Sequence, residues 1–172
     1  PLIGRVLQDR YHVIRALGRG GMGVVYLAEH VLIQRKLAIK VLHSQWTASE
    51  ELVQRFHREA RAAAASGDEH IVDVTDMGRL DDGTYYMVLE YLDGPDLATL
   101  VERDGALEIT RALDIGLQLC EALGAVHGAG TAQLALARCS GVGACTHATV
   151  ATLETHVEAL TMLQRWGVQE PR

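Results

Sequence analysis

LGRGGMGVVYLAEHVLIQRKLAIKVL, residues 17–42, is the stretch on which the fold of this chain turns. Gly18, Gly20 and Gly23 are followed by Val25 and, further on, by Lys40. Glycines at this spacing let backbone amides close over phosphate groups without obstruction by side chains, and a lysine on the next strand but one supplies a point charge for them. The same glycine pattern occurs in dinucleotide-binding crossovers, where a helix follows at once and an acidic residue lies about twenty positions on. Here a β-prone run, residues 24–28, follows the loop, and Lys40 occupies the later region. That order favours a glycine-rich hairpin over a strand-to-helix crossover.

Working outward, Tyr11, Val13 and Leu17 fall on odd positions and predict a strand before the loop, with residues 37–42 as a third strand. Thr47 and Glu50 form a Thr-x-x-Glu pattern that satisfies free amides at a helix start, and the helix is expected to run through Ala65. Its apolar positions Leu52, Val53, Phe56, Ala60, Ala63 and Ala64 give one face to lay on a sheet. Residues 71–77 and 84–92 read as two more strands joined by the turn Asp81-Asp82-Gly83. After Gly94-Pro95 the periodicity becomes helical. Leu97, Leu100 and Val101 predict a short helix that Asp104-Gly105 ends, and residues 108–127 predict a longer, buried one carrying Ile109, Leu113, Leu117, Cys120, Leu123 and Val126, with Ile115 and Leu119 broadening the stripe.

Composition narrows the function classes. The chain has 172 residues, 48% of them apolar, which is enough for a buried core. A net charge of -6, with Lys36 and Lys40 the only lysines, argues against a nucleic-acid surface, which needs clustered basic residues. Cys120, Cys139 and Cys145 are too few for a disulfide framework and fit a reducing compartment, so a cytoplasmic location is the expectation. No apolar run reaches the roughly 18 residues needed to span a bilayer. The sequence does not start with Met, which suggests a processed or partial chain.

Four motifs together resemble the bacterial serine/threonine protein kinases of the eukaryotic-like type over roughly residues 4–130. They are GxGxxGxV at residues 18–25, Ala-Ile-Lys at 38–40, Phe-x-Arg-Glu-Ala at 56–60 and Val-Leu-Glu-Tyr-Leu at 88–92. The resemblance implies an α+β chain: a kinase-like N-lobe with a five-stranded antiparallel sheet and one main helix over 11–93, the start of a helical C-lobe over 94–130, and a divergent tail over 131–172. It implies ATP as ligand, magnesium as its usual companion, and a protein substrate or partner chain.

By the same resemblance Lys40 meets the α- and β-phosphates and is held by Glu59 of the following helix. Lys40 is flanked by Ala38, Ile39, Val41 and Leu42, and a lysine in a buried strand needs a partner. Leu17, Val25 and Ala38 would roof a flat adenine slot beside Gly18, Gly20 and Gly23, with Leu89 at its back. The Glu90 carbonyl and Leu92 amide would serve as hinge acceptor and donor. Asp96 either meets the ribose hydroxyls or caps the short helix that starts near Leu97.

The catalytic half of the family pattern is missing. Where His-Arg-Asp would stand, the aligned residues are Gln133, Leu134 and Ala135. A methyl group cannot accept a proton. No aspartate follows Asp114 and the chain has no asparagine, so the family's metal ligands have no counterparts and no metal ligands are assigned. Cys139, Cys145, His147 and His156 match no common zinc spacing. Two explanations compete for residues 131–172: a truncated or frame-disrupted kinase, or a divergent ending in which Val150, Leu153, Val157, Leu160 and Leu163 form an amphipathic helix. The expected function is the ATP-binding portion of a protein kinase, inactive alone, with a pseudokinase-like nucleotide- or partner-binding module as the alternative.

Overall fold

The computed structural model describes residues 2–128 and divides the chain into two compact units. The first comprises Pro1–Ala65 and Val72–Leu92. Its sheet is built from β1 (Val6–Leu7), β2 (Tyr11–Arg19), β3 (Gly23–His30), β4 (Lys36–Leu42), β5 (Val74–Arg79) and β6 (Tyr85–Glu90). All pairings are antiparallel, in the order β1-β2-β3-β4-β6-β5. Among the described residues the strand count is six, one more than expected, because Val6 and Leu7 add a two-residue edge strand too short to leave a periodic signature.

The connections follow local chemistry. Between β5 and β6 the Gly83 amide donates to the Leu80 carbonyl, Thr84 N donates to Asp82 Oδ1 at 2.9 Å, and Gly83 takes a φ of 86°, which a side chain would resist. Between β4 and the main helix α1 (Glu50–Ser66) lies a 3₁₀ turn, Ser44–Trp46. Thr47 closes that turn by bonding back to the Ser44 carbonyl, so it does not start α1. Ser49 does: its Oγ accepts from Leu52 N, and its carbonyl accepts from Val53 N at 3.0 Å. Glu50 and Glu51 then sit in the first turn, where the helix dipole favours negative charge. The expected Thr-x-x-Glu start is thus displaced by two residues, because a nearer hydroxyl was available.

Alternation along the strands sends two side-chain sets to opposite faces. Leu37, Ile39 and Val41 of β4 join Tyr11, Val13, Ala28, Tyr86 and Val88 in one buried cluster. Ala38, Lys40 and Leu42 occupy the other face, and so does α1, since Glu59 reaches Lys40. On α1 the buried residues are Phe56, Glu59, Ala60 and Ala62. Ala62 therefore takes the place expected for Ala64, which is exposed.

Among the described residues the second unit comprises Ser66–Ile71 and Asp93–Gly128. It contains α2 (Leu97–Asp104) and α3 (Ile109–Gly128). Thr99 N donates to Asp96 Oδ1 at 2.7 Å, so Asp96 caps α2, and Gly105 N closes its far end on the Val101 carbonyl. His70 Nε2 and Glu121 Oε2, 3.1 Å apart, tie the segment after α1 to α3. The expectation of a buried apolar stripe on α3 is corrected in part. Ile109, Leu113 and Leu117 are 55%, 56% and 63% exposed and Cys120 is exposed; of the expected stripe Ile115 is buried, joined by Ala112 and Ala122. Ile115 and the two alanines keep helical spacing on the inward face. Among the described residues no helix is long and apolar enough to cross a membrane. The expected features of residues 131–172, including Gln133, Leu134, Ala135 and the later helix, lie outside the described residues.

Candidate functional site

Lys40 sits in β4, a strand with neighbours on both sides, opposite Val25 of β3 and Met87 of β6. Directly opposed residues share a face, as do residues two apart on a strand. Register therefore places Val25, Leu27, Ala38, Lys40, Met87 and Leu89 on one side of the sheet, with Gly18 opposite Val25 at the strand end of the loop. Leu17 falls at the irregularity between Ala16 and Gly18 and remains 38% exposed.

The Lys40 side chain is 3% exposed by residue and Glu59 is 4% exposed. Lys40 Nζ donates to Glu59 Oε1 in a buried ion pair. Burial of an ammonium this deep demands a carboxylate, and α1 supplies one from the turn between Phe56 and Ala60. Glu59 Oε2 is buried too and has no hydrogen-bond partner among the described residues. One contact thus holds the pair, and an ammonium with three hydrogens has given only one to Glu59.

The three motif glycines differ in what requires them. A Cβ on Gly23 would lie 2.1 Å from the Val41 carbonyl oxygen, so the approach of β4 to β3 itself excludes any side chain. A Cβ on Gly18 would meet nothing within 4 Å and its backbone is not left-handed, so the fold does not explain glycine there. Gly20 N donates to Gly23 O at 2.9 Å and closes the loop on itself.

Glu90 ends β6, where its amide donates to the Asp73 carbonyl at 3.0 Å and its Oε1 accepts from Asp73 N at 3.0 Å. Leu92 lies two residues on, past Tyr91, whose ring has the Lys36 ammonium 6.0 Å from its centre. Asp96 belongs to the second unit, and the capping bond accounts for it there. Sequence reading missed His43 and Trp46, which bond to the glycine-rich loop from the segment after β4. Only tertiary placement reveals them, since neither belongs to a periodic face or a recognised spacing. Among the described residues no group of three His, Cys, Asp or Glu side chains is placed to hold a metal ion.

Residues 11–132 match the protein kinase domain family. The chain is 38% identical over 126 residues to the serine/threonine-protein kinase PrkC of Bacillus subtilis, covering 73% of this chain and 19% of that protein. It is 44% identical over 130 residues to the serine/threonine-protein kinase Pkn1 of Myxococcus xanthus, covering 76% and 18%. Among solved structures, the Mycobacterium tuberculosis PknI kinase domain superposes with a TM-score of 0.67 at 29% identity, over 87% of this chain and 62% of that one. The chain thus spans less than a fifth of either curated relative and under two thirds of the solved kinase domain.

Proposed function

We propose that this chain, which belongs to the protein kinase family, holds ATP beneath its glycine-rich flap and does not by itself pass the terminal phosphate to a protein hydroxyl. One observation carries the binding half: a buried ammonium, fixed by a single carboxylate contact, on the face of the sheet that Gly18 borders. Two further ammonium hydrogens suit phosphate oxygens, which Lys binds as a point charge. Gly18 adds support, because glycine at a position the fold leaves open is understandable when a ligand backs against the backbone. Val25, Ala38 and Leu89 share the Lys40 face and supply apolar surface for adenine. The Glu90 carbonyl and the Leu92 amide are assigned to its polar edge.

The inactive half rests on the sequence. Ala135 stands where the family's proton acceptor aligns, and loss of a general base costs roughly 10²–10⁴ in rate. Magnesium is the family's usual companion to ATP, yet the residues present do not fit it: no described cluster can hold a metal, and no aspartate or asparagine follows Asp114. No step through that ion is assigned to this chain. The relatives are named serine/threonine-protein kinases, and protein serine and threonine are the acceptors we assign to the parent activity. Thermal unfolding with ATP tests the binding half. At a hundredfold excess over its dissociation constant, ATP is expected to add about 2.7 kcal/mol of stability. No shift at saturating ATP would remove the reading.

A further inference from the structure

Three successive carbonyls of the glycine-rich flap are held by one short segment. His43 Nε2 lies 3.2 Å from the Gly20 carbonyl oxygen, and because a carbonyl only accepts, the ring nitrogen donates. Trp46 Nε1 donates to the Gly21 carbonyl at 3.2 Å, and the His43 backbone amide donates to the Met22 carbonyl at 2.9 Å. His43 and Trp46 belong to the 3₁₀ turn and its approach, between the strand that carries Lys40 and the helix that carries Glu59.

Peptide planarity converts this contact into a direction. Each peptide is trans, so its carbonyl and its amide point opposite ways. Drawing the carbonyls of Gly20, Gly21 and Met22 toward the linker turns the amides of Gly21, Met22 and Gly23 away from it. A glycine-rich loop would otherwise spread its peptide planes over many orientations, and ordering them at the moment of binding costs affinity. We propose that His43 and Trp46 are positioning residues that pre-set the flap amides for phosphate oxygens by anchoring the opposite end of each peptide. This inference rests on the nucleotide reading above and adds to it the residues that hold the flap ready.

The test is isothermal titration of the full chain with ATP and, separately, with adenosine, for wild type, Trp46→Phe, His43→Phe and His43→Gln. Adenosine lacks phosphates and reports on the slot and on intact folding. Loss of one partly exposed hydrogen bond is expected to weaken ATP roughly two- to tenfold in Trp46→Phe and in His43→Phe, with adenosine unchanged. His43→Gln keeps a side-chain N–H donor and is expected to recover part of the ATP affinity. An unchanged ratio of ATP to adenosine affinity in both Phe variants overturns the inference, as does tighter ATP binding or an equal loss of both ligands. Wild-type protein that binds neither ligand overturns the nucleotide reading and this inference with it, whereas wild-type binding with an unchanged ratio overturns the inference alone.

Discussion

Replacing Lys40 by methionine separates what the buried ion pair does for the fold from what it does for a ligand. Both partners are almost fully enclosed, at 3% and 4% exposure, and Glu59 already has one buried oxygen without a hydrogen bond among the described residues. Lys40→Met alone strands the carboxylate, and breaking a buried pair from one side costs about 3–5 kcal/mol. Such a loss lowers the melting temperature by on the order of 10 °C in a domain of this size. Lys40→Met combined with Glu59→Leu leaves two apolar side chains of similar bulk, and replacing a whole buried pair in this way is neutral or stabilising by about 1–4 kcal/mol. Stability should therefore collapse in the single variant and return in the double one. ATP binding should be absent from both, because neither has the ammonium. Chemical unfolding of wild type, each single variant and the double variant, followed by ATP titration of the folded proteins, completes the cycle. Full stability in Lys40→Met would contradict the burial of the pair, and ATP binding by the restored double variant would show that the pair serves the fold alone.

Two further outcomes are open to measurement. Gly23→Ala is expected to destabilise by about 2 kcal/mol or more, because its Cβ would collide with the Val41 carbonyl, whereas Gly18→Ala should leave stability level or raise it by up to about 1 kcal/mol while weakening ATP; equal stability losses in the two variants would refute the distinction. Tyr11 donates to Asp76 Oδ2 at 2.6 Å beneath the Arg10 guanidinium, and burial first, then that bond, push its pKa up to about 12. Its unfolded value is 10.0, so the folded state keeps the proton longer: the contribution is complete below pH 10 and is lost as pH rises toward 12. A shift of about two pKa units corresponds to at most about 3 kcal/mol, so unfolding titrations between those limits should fall less steeply in Tyr11→Phe than in wild type. Matching slopes would rule out Tyr11 as the source.

Much of the first unit was legible because its signals are local. The Asp81-Asp82-Gly83 turn, the flap glycines and the alternation around Lys40 each depend on residues a few positions apart. What escaped depended on competition or on distance. Thr47 and Ser49 both offer a hydroxyl before α1, and only the folded backbone shows Thr47 spent on the preceding turn. On α3 the broad expected stripe held both Ile115, which is buried with Ala112 and Ala122, and Ile109, Leu113 and Leu117, which are exposed, and periodicity alone cannot rank two apolar rows. Of the candidate site, Lys40, Glu59 and the sheet residues carried motif spacing. His43 and Trp46 carried none, since their role consists of reaching carbonyls more than twenty residues back in the chain.

Incubating the purified chain with ATP labelled in its terminal phosphate, then counting label retained by the native protein and label surviving acid denaturation, tests both halves of the functional reading at once. Retention by the native wild type, its absence from Lys40→Met, and no acid-stable label in either are the expected results. Acid-stable label on the wild type, or native retention that does not depend on Lys40, would contradict a chain that grips the nucleotide without transferring its phosphate.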